Sequence, residues 1–248
     1  FVKRVGLYAA VSWHASTLRE EAEIGAHFPL HAGRPSGRGE FFVAGNLSMQ
    51  QPNAAGRTLD KAPGSLRVAF LSRVARKKNL HYAIEVLGKL DGRITFDIWG
   101  PLEDQSYWQE CQALIDRSPA DLKLSHMGAI ESSEVVPKLA EYHLFLFPTL
   151  GENFGHAILE ALTAGCAILI SDTTPWRGLQ EKGCGWDLPL SEPGAFVAAL
   201  TEAVSWDAAK FAEVSAAARA TAEAYLVQPE NLAANRHMFA TVCGQSGS

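Results

Sequence analysis

Cysteine is scarce and scattered in this sequence. Its 248 residues include four cysteines, with no C-x-x-C pair and no His/Cys cluster at zinc spacing. Such spacing argues against a structural zinc site and indicates reduced packing thiols. A scattered set of thiols is typical of a cytosolic protein. We therefore expect a cytoplasmic location and no bound metal.

Long apolar runs and runs of basic charge are absent as well. Apolar stretches such as Leu144–Phe147 are far shorter than the roughly 20 residues that cross a bilayer. The net charge of -5, without a lysine- or arginine-rich run, makes nucleic acid a poor candidate partner. We expect neither a membrane-spanning helix nor a nucleic-acid partner.

Several well-known site signatures are also missing. No G-x-G-x-x-G follows the first strand of the alternating region described below, and neither G-x-x-x-x-G-K-[ST] nor G-x-S-x-G occurs anywhere. These absences argue against a dinucleotide site, a P-loop and a serine-hydrolase elbow. His126, His143 and His156 are interpreted as core or loop histidines rather than metal ligands.

From Leu66 onward, short apolar runs alternate with amphipathic helical patterns. The runs at 66–71, 94–99, 122–126, 143–147 and 167–170 are of strand length, and a weaker one follows near 185–188. Helices are predicted between them, one of them starting at about Pro137. Strands that are apolar on both faces indicate a parallel sheet covered on both sides. The predicted fold class is therefore α/β, with a doubly wound parallel sheet.

Two loops lie where such a sheet binds ligands, after its first and fourth strands. The first loop, SRVARKK, carries Arg73, Arg76, Lys77 and Lys78. Together these side chains could neutralise a diphosphate without a metal. The alternative is a solvated basic turn before a helix.

The second loop leads into a helix and brings two carboxylates. Gly155 opens this helix, whose free N–H groups form an anion site. Glu152 precedes it and could accept hydrogen bonds from sugar hydroxyls, whereas Glu160 lies within the helix and could accept them from a ribose. Both glutamates could instead be surface or capping residues.

Four segments resemble the C-terminal domain of the GT-B glycosyltransferases, specifically the retaining family 4 enzymes. They are SRVARKKN at 72–79, IWGPLED at 98–104, HMGAI at 126–130 and PTLGENFGHAILEALTAGCAILISD at 148–172. The last carries the family's E-x7-E pattern as Glu152 and Glu160. The likeness covers residues 66–200, and residues 173–190 are similar to bacterial surface-polysaccharide enzymes.

The resemblance implies a role for each residue of the site. Glu152, Arg73 and Lys78 would be the catalytic residues, with the two cations on the diphosphate and Glu152 on the donor sugar. Glu160 would hold the ribose. Backbone N–H groups facing the sugar and phosphates would come from Asn153, Phe154, Gly155, His156 and Ala157. Gly128 and Ala129 would touch the base. No cofactor is implied beyond a UDP- or GDP-sugar donor, and no divalent ion is needed.

The resemblance also divides the chain into three segments. Residues 1–65 would be the tail of the N-terminal acceptor domain plus a linker, and residues 66–205 the Rossmann-like nucleotide-sugar-binding domain. Residues 206–248 would be C-terminal helices. Most of the acceptor domain is expected to lie before Phe1, so that the fragment binds donor without turnover.

The implied activity is retaining transfer of a sugar onto a glycan or lipid-linked acceptor. The enzyme would be cytoplasmic, and its acceptor domain could place it at the inner face of the membrane. Two alternatives stay open. One is a sugar-nucleotide epimerase or phosphorylase of the same architecture, and the other is a degenerate nucleotide-binding or scaffolding module.

Overall fold

The computed structural model describes residues 12–16, 18–27, 41–44, 59–227 and 229–243. The chain forms two compact units. One unit combines Phe1–Gln50 with Leu226–Ser248, and the other is Gln51–Tyr225. The assignment of residues 1–65 to an acceptor domain stays a prediction.

The smaller unit contains a pair of short parallel strands with helices. Strand β1, Trp13–Ala15, precedes helix α1, Leu18–His27, and pairs in parallel with strand β2, Phe41–Val43. The His14 ring nitrogen Nε2 lies 2.8 Å from the Ala44 carbonyl oxygen. Helix α8, Pro229–Val242, packs on β2, where the rings of Phe42 and His237 meet edge to face at 6.2 Å.

The larger unit is built on a six-stranded parallel sheet. Its strands are β3 (Ser65–Leu71), β4 (Arg93–Trp99), β5 (Leu122–Gly128), β6 (Leu144–Phe147), β7 (Ala167–Ser171) and β8 (Gly185–Leu188). Its helices are α2 (Leu80–Leu87), α3 (Gln105–Ile115), α4 (Ser132–Leu139), α5 (His156–Ala164), α6 (Pro193–Ser205) and α7 (Ala208–Leu226). The strand order is β5-β4-β3-β6-β7-β8, with every neighbouring pair parallel. The predicted doubly wound sheet is confirmed.

The burial of the strands explains why their sequences are so apolar. Every residue of β6 and β7 is buried, as expected for strands covered by helices on both faces. Helix α2 packs against α3 and against α6, and α4 packs on α5. This grouping matches right-handed crossovers that place helices on opposite sides of the sheet. The rings of Phe70 and Phe147 meet edge to face at 5.7 Å in the core.

Helix α4 begins at Ser132, so the predicted start at about Pro137 is wrong. Pro137 lies inside the helix, where its missing N–H removes one backbone hydrogen bond. The missing bond would have run to the Ser133 carbonyl oxygen four residues earlier, and α4 ends two residues after the proline, at Leu139. The preceding Val135 and Val136 are buried, and their burial extends the helix upstream of the proline.

Candidate functional site

The sheet reverses its strand order between β3 and β6. These strands are hydrogen-bonded neighbours, with Val68 opposite Leu144. The chain then continues from β3 towards β4 on one side and from β6 towards β7 on the other. A crevice forms at such a point because the two following loops diverge. The basic loop and the glutamate loop therefore leave the sheet side by side, as predicted.

Hydrogen bonds join these two loops directly. Asn79 is buried and adopts a left-handed backbone conformation with φ of 60°. Its Nδ2 donates to the Pro148 carbonyl oxygen at 2.9 Å. In the other direction, the backbone N–H of Leu150 donates to the Lys77 carbonyl oxygen at 2.9 Å. The positions of the two loops relative to each other are thus fixed by backbone and buried side-chain contacts.

Lys78 and Glu152 form an ion pair across the two loops. The Lys78 ammonium donates to Oε1 of Glu152, and the side chains are only 12% and 14% exposed. The ammonium also lies 5.4 Å from the centre of the Phe147 ring. The attraction between the two charges offsets part of the cost of withdrawing both from water. The structure thus brings together two of the three residues predicted to be catalytic.

Two arginines of the basic loop have partners outside the crevice loops. Arg73 is the third residue predicted to be catalytic and is 58% exposed, with Nη1 2.5 Å from Oε2 of Glu103. Arg76 forms two hydrogen bonds with Glu110, at 2.6 and 3.1 Å. Exposed pairs of this kind are worth little energetically. A stronger anion could therefore draw Arg73 away from Glu103 at small cost.

Gly155 sets the start of helix α5. It adopts a left-handed conformation with φ of 85°, and a Cβ built on it would lie 2.8 Å from Cδ1 of Ile158. The cap residue Gly155 brings no side-chain hydrogen bond to the helix, and the N–H groups of a first helical turn have no carbonyl partner within the helix. A helix start of this kind favours a bound anion.

An aromatic cluster packs around Phe154, the residue before Gly155. Phe154 is 5% exposed and packs against Trp176 at 5.7 Å and Tyr225 at 5.4 Å. The Trp176 indole N–H donates to the Phe154 carbonyl oxygen at 2.7 Å. Phe154 can therefore offer a ligand only its backbone N–H, whereas Asn153 presents an exposed side chain. The sequence-based prediction missed Trp176 and Tyr225, although a tryptophan shortly after the β7 run was a visible signal.

Glu160 lies in the second turn of α5 and is half-buried. Within residues 59–227, the structure shows no hydrogen bond or ion pair for its carboxylate. Burial raises the pKa of Glu160 from 4.5 to about 7, because removal from water disfavours the charged form. A half-buried acceptor of this kind is suited to hydroxyl donors brought by a ligand.

Gly128 and Ala129 lie at the far end of the same sheet edge. Gly128 closes β5, and its carbonyl oxygen accepts a hydrogen bond from Gly100 N–H at 2.7 Å. Since neighbouring strands lie roughly 4.8 Å apart, three strand spacings separate β5 from β6 by about 14 Å. The ends of β5 and β6 could therefore contact opposite ends of an extended ligand.

His143 is a buried core histidine, as predicted. Its Nδ1 accepts a hydrogen bond from the Arg67 backbone N–H at 2.9 Å, and its Nε2 donates to the Asp60 carbonyl oxygen at 3.0 Å. Burial lowers its pKa to about 4. The residue is therefore neutral at pH 7, with both ring nitrogens occupied.

Similarity to a known family decides the identity of this fold. The sequence profile described as Glycosyl transferases group 1 matches residues 65–206, which hold all three strand-end loops of the site. The chain belongs to this family.

Individual group 1 relatives match only in part. Human alpha-1,3/1,6-mannosyltransferase ALG2 is 25% identical over 150 residues, which is 54% of this chain and 35% of ALG2. The crystal structure of S. aureus TarM superposes with a TM-score of 0.69 at 15% identity, covering 91% of this chain and 43% of TarM. Anabaena HepE gives a TM-score of 0.67 at 16% identity, over 93% of this chain and 62% of HepE. These matches do not favour the epimerase or scaffold alternative.

The described residues contain neither a metal-binding group of side chains nor a helix that could span a membrane. No group of three or more His, Cys, Asp or Glu side chains is arranged to hold a metal ion in the part of the chain that the structure describes. None of its described helices combines the length and the apolar character needed to span a bilayer.

Proposed function

We propose that this chain is the donor-binding part of a retaining, metal-independent glycosyltransferase. The observation that carries the proposal is the largely buried Lys78–Glu152 pair at the strand-order reversal of a group 1 fold. It holds a cation and a carboxylate close in sequence to the start of α5. A sugar diphosphate needs this combination of a positive charge, hydroxyl acceptors and free N–H groups.

The side chains of the site would contact different parts of the donor. Lys78 would meet the diphosphate, together with Arg73 released from Glu103. Glu152 would then accept hydrogen bonds from the sugar hydroxyls. Negative charge builds on the diphosphate as the sugar leaves, so fixed cations aimed at it lower the barrier. Two side-chain cations could supply this charge without a divalent ion.

The nucleoside would extend along the sheet edge. Glu160 would accept hydrogen bonds from the ribose, and backbone at Gly128 and Ala129 would contact the base. The spacing of about 14 Å between β5 and β6, three strand intervals, suits an elongated nucleotide sugar. UDP is the favoured nucleotide because the TarM and HepE structures contain UDP, and GDP is the alternative.

The proposal also covers the acceptor substrate and the cellular location of the enzyme. Since the chain spans 35% of ALG2 and 43% of TarM, the acceptor would be bound in part by residues outside it. We infer a glycan or lipid-linked acceptor in polysaccharide biosynthesis. The location would be cytoplasmic, at the inner face of the membrane. Product stereochemistry by NMR with the full-length protein tests retention.

Calorimetric titration of this chain with UDP, GDP, ADP and uridine, in EDTA, tests donor binding. We expect saturable binding of one diphosphate but not of its nucleoside, and loss of binding in Lys78→Ala. A diphosphate that binds only after Mg²⁺ is added would contradict metal independence. Equal binding of uridine and UDP would contradict the role of the cations.

A further inference from the structure

The basic loop contains four cations, and three of them already have carboxylate partners. Arg73 pairs with Glu103, Arg76 with Glu110 and Lys78 with Glu152. Lys77 is exposed, and the structure shows no ion pair or hydrogen bond for its ammonium anywhere in residues 59–227. Among these described residues, Lys77 is thus the loop cation whose charge is not offset by a neighbouring carboxylate.

Lys77 also lies over the glutamate loop. Its carbonyl oxygen accepts the Leu150 N–H at 2.9 Å and the Thr149 hydroxyl at 3.2 Å. Its side-chain Cε lies 3.9 Å from the position that a Cβ on Gly151 would occupy. The aliphatic part of Lys77 therefore covers Gly151, the residue before Glu152. The exposed ammonium of Lys77 therefore lies near the loop that carries Glu152, which borders the proposed donor site.

The uncompensated charge gives Lys77 a role that the paired cations do not share. A paired cation must give up or share its carboxylate before it can contact a phosphate, whereas a free ammonium attracts an anion from the start. Within a Debye length of about 10 Å at 0.1 M salt, this attraction is only partly screened. Charges at the edge of a site act mainly on the association rate.

We propose that Lys77 is a third cation of the donor site, which captures the anionic diphosphate before Lys78 and Arg73 exchange their carboxylate partners for it. This inference rests on the proposed function. Its chemistry is recognition of a diphosphate, so inorganic diphosphate is a probe that does not depend on the base. UDP and GDP are the corresponding nucleotide probes.

Lys89 provides a matched control. It is an exposed lysine without an ion pair or hydrogen bond from its ammonium in the described part of the chain, and it follows the opposite end of the same helix, α2. Lys77→Gln and Lys89→Gln change the net charge equally, so a general charge effect would appear in both. Lys77→Arg keeps the charge and should preserve affinity. Circular dichroism of each variant checks that the fold is retained.

Affinity and association rate for UDP, GDP and inorganic diphosphate would be measured at 20 mM and 500 mM salt. We expect Lys77→Gln to weaken diphosphate binding by about three- to tenfold at low salt, mainly by slower association, and Lys89→Gln to leave it unchanged. High salt should shrink the difference. Diphosphate binding that is equally strong in Lys77→Gln and Lys89→Gln would overturn this inference alone. Absence of diphosphate binding by the unmodified chain would overturn the proposed function as well.

Discussion

Replacing Glu160 with glutamine should make the free protein more stable and the nucleotide complex weaker. Glu160 is half-buried in α5, and in the free chain it must ionise at pH 8 although burial raises its pKa to about 7. Glutamine has nearly the same shape and carries no charge. It removes the cost of ionisation but also removes the charged acceptor proposed for the ribose.

The size of the effect follows from the pKa difference. Between pH 4.5 and pH 7, Glu160 is mostly ionised in the unfolded chain and mostly protonated in the folded chain. The free energy of unfolding therefore falls as the pH rises through this range. The difference between 4.5 and about 7 sets a ceiling of roughly 3 kcal/mol above pH 7. Water screens part of this because the side chain is not fully buried. We expect Glu160→Gln to raise the free energy of unfolding by about 1–2 kcal/mol at pH 8 and to change it little at pH 4.

Urea unfolding at pH 4, 6 and 8 measures this gain, with the exposed Glu223→Gln as the control for loss of one negative charge. Calorimetry with the preferred diphosphate measures the opposite effect, a loss of about 1–3 kcal/mol in binding. A Glu160→Gln protein that is less stable than the unmodified one at pH 8 would refute the argument from burial. Unchanged nucleotide affinity would refute the ribose assignment.

Three other predictions follow from the same contacts. Binding of a nucleotide sugar at pH 7 should release protons from the protein, because burial raises the pKa of Glu160 to about 7 and ribose hydroxyls would favour its ionised form; calorimetry in buffers of different ionisation enthalpy measures the release, and Glu160→Gln should abolish it. Gly155→Ala should cost about 1–3 kcal/mol, since φ is 85° and Ile158 crowds the new Cβ; urea unfolding tests this, and Gly194→Ala, with open space around it, should cost little. Asn79→Ala should cost about 1–3 kcal/mol, both by losing its buried bond to Pro148 and by placing alanine at a φ of 60°; Asn79→Gly tolerates that φ, and retained stability in this variant would contradict the bond's importance.

The sheet could be predicted because the same apolar residues favour both strand formation and burial between layers of helices. The apolar runs at β3, β6 and β7 suit a strand and also suit burial on both faces. The neighbouring position of the basic and glutamate loops then follows from topology, because the first and fourth strands of such a sheet are adjacent. No knowledge of side-chain geometry is needed for that step.

The contacts that complete the site could not be read from the sequence. Arg73 pairs with Glu103 and Arg76 with Glu110, partners about thirty residues away whose orientation depends on how the loop after β4 leaves the sheet. The aromatic support of Phe154 depends on Tyr225, which lies in a helix with no motif. Pro137 misled the prediction of α4 because a proline suits a helix start, while burial of the residues before it decides otherwise.

The two hydrogen-bonded loops have a consequence for engineering this fold. Asn79 to Pro148 and Leu150 to Lys77 fasten the loops through buried atoms and main chain, so exchanging the exposed side chains of Leu150, Asn153 or His156 leaves that frame intact. A library varied at these three positions would therefore test whether the proposed donor site sets the sugar preference. Grafting the basic loop into a relative would keep the side-chain contact only if Asn79 is grafted with it, because Asn79 supplies the donor to the Pro148 carbonyl oxygen.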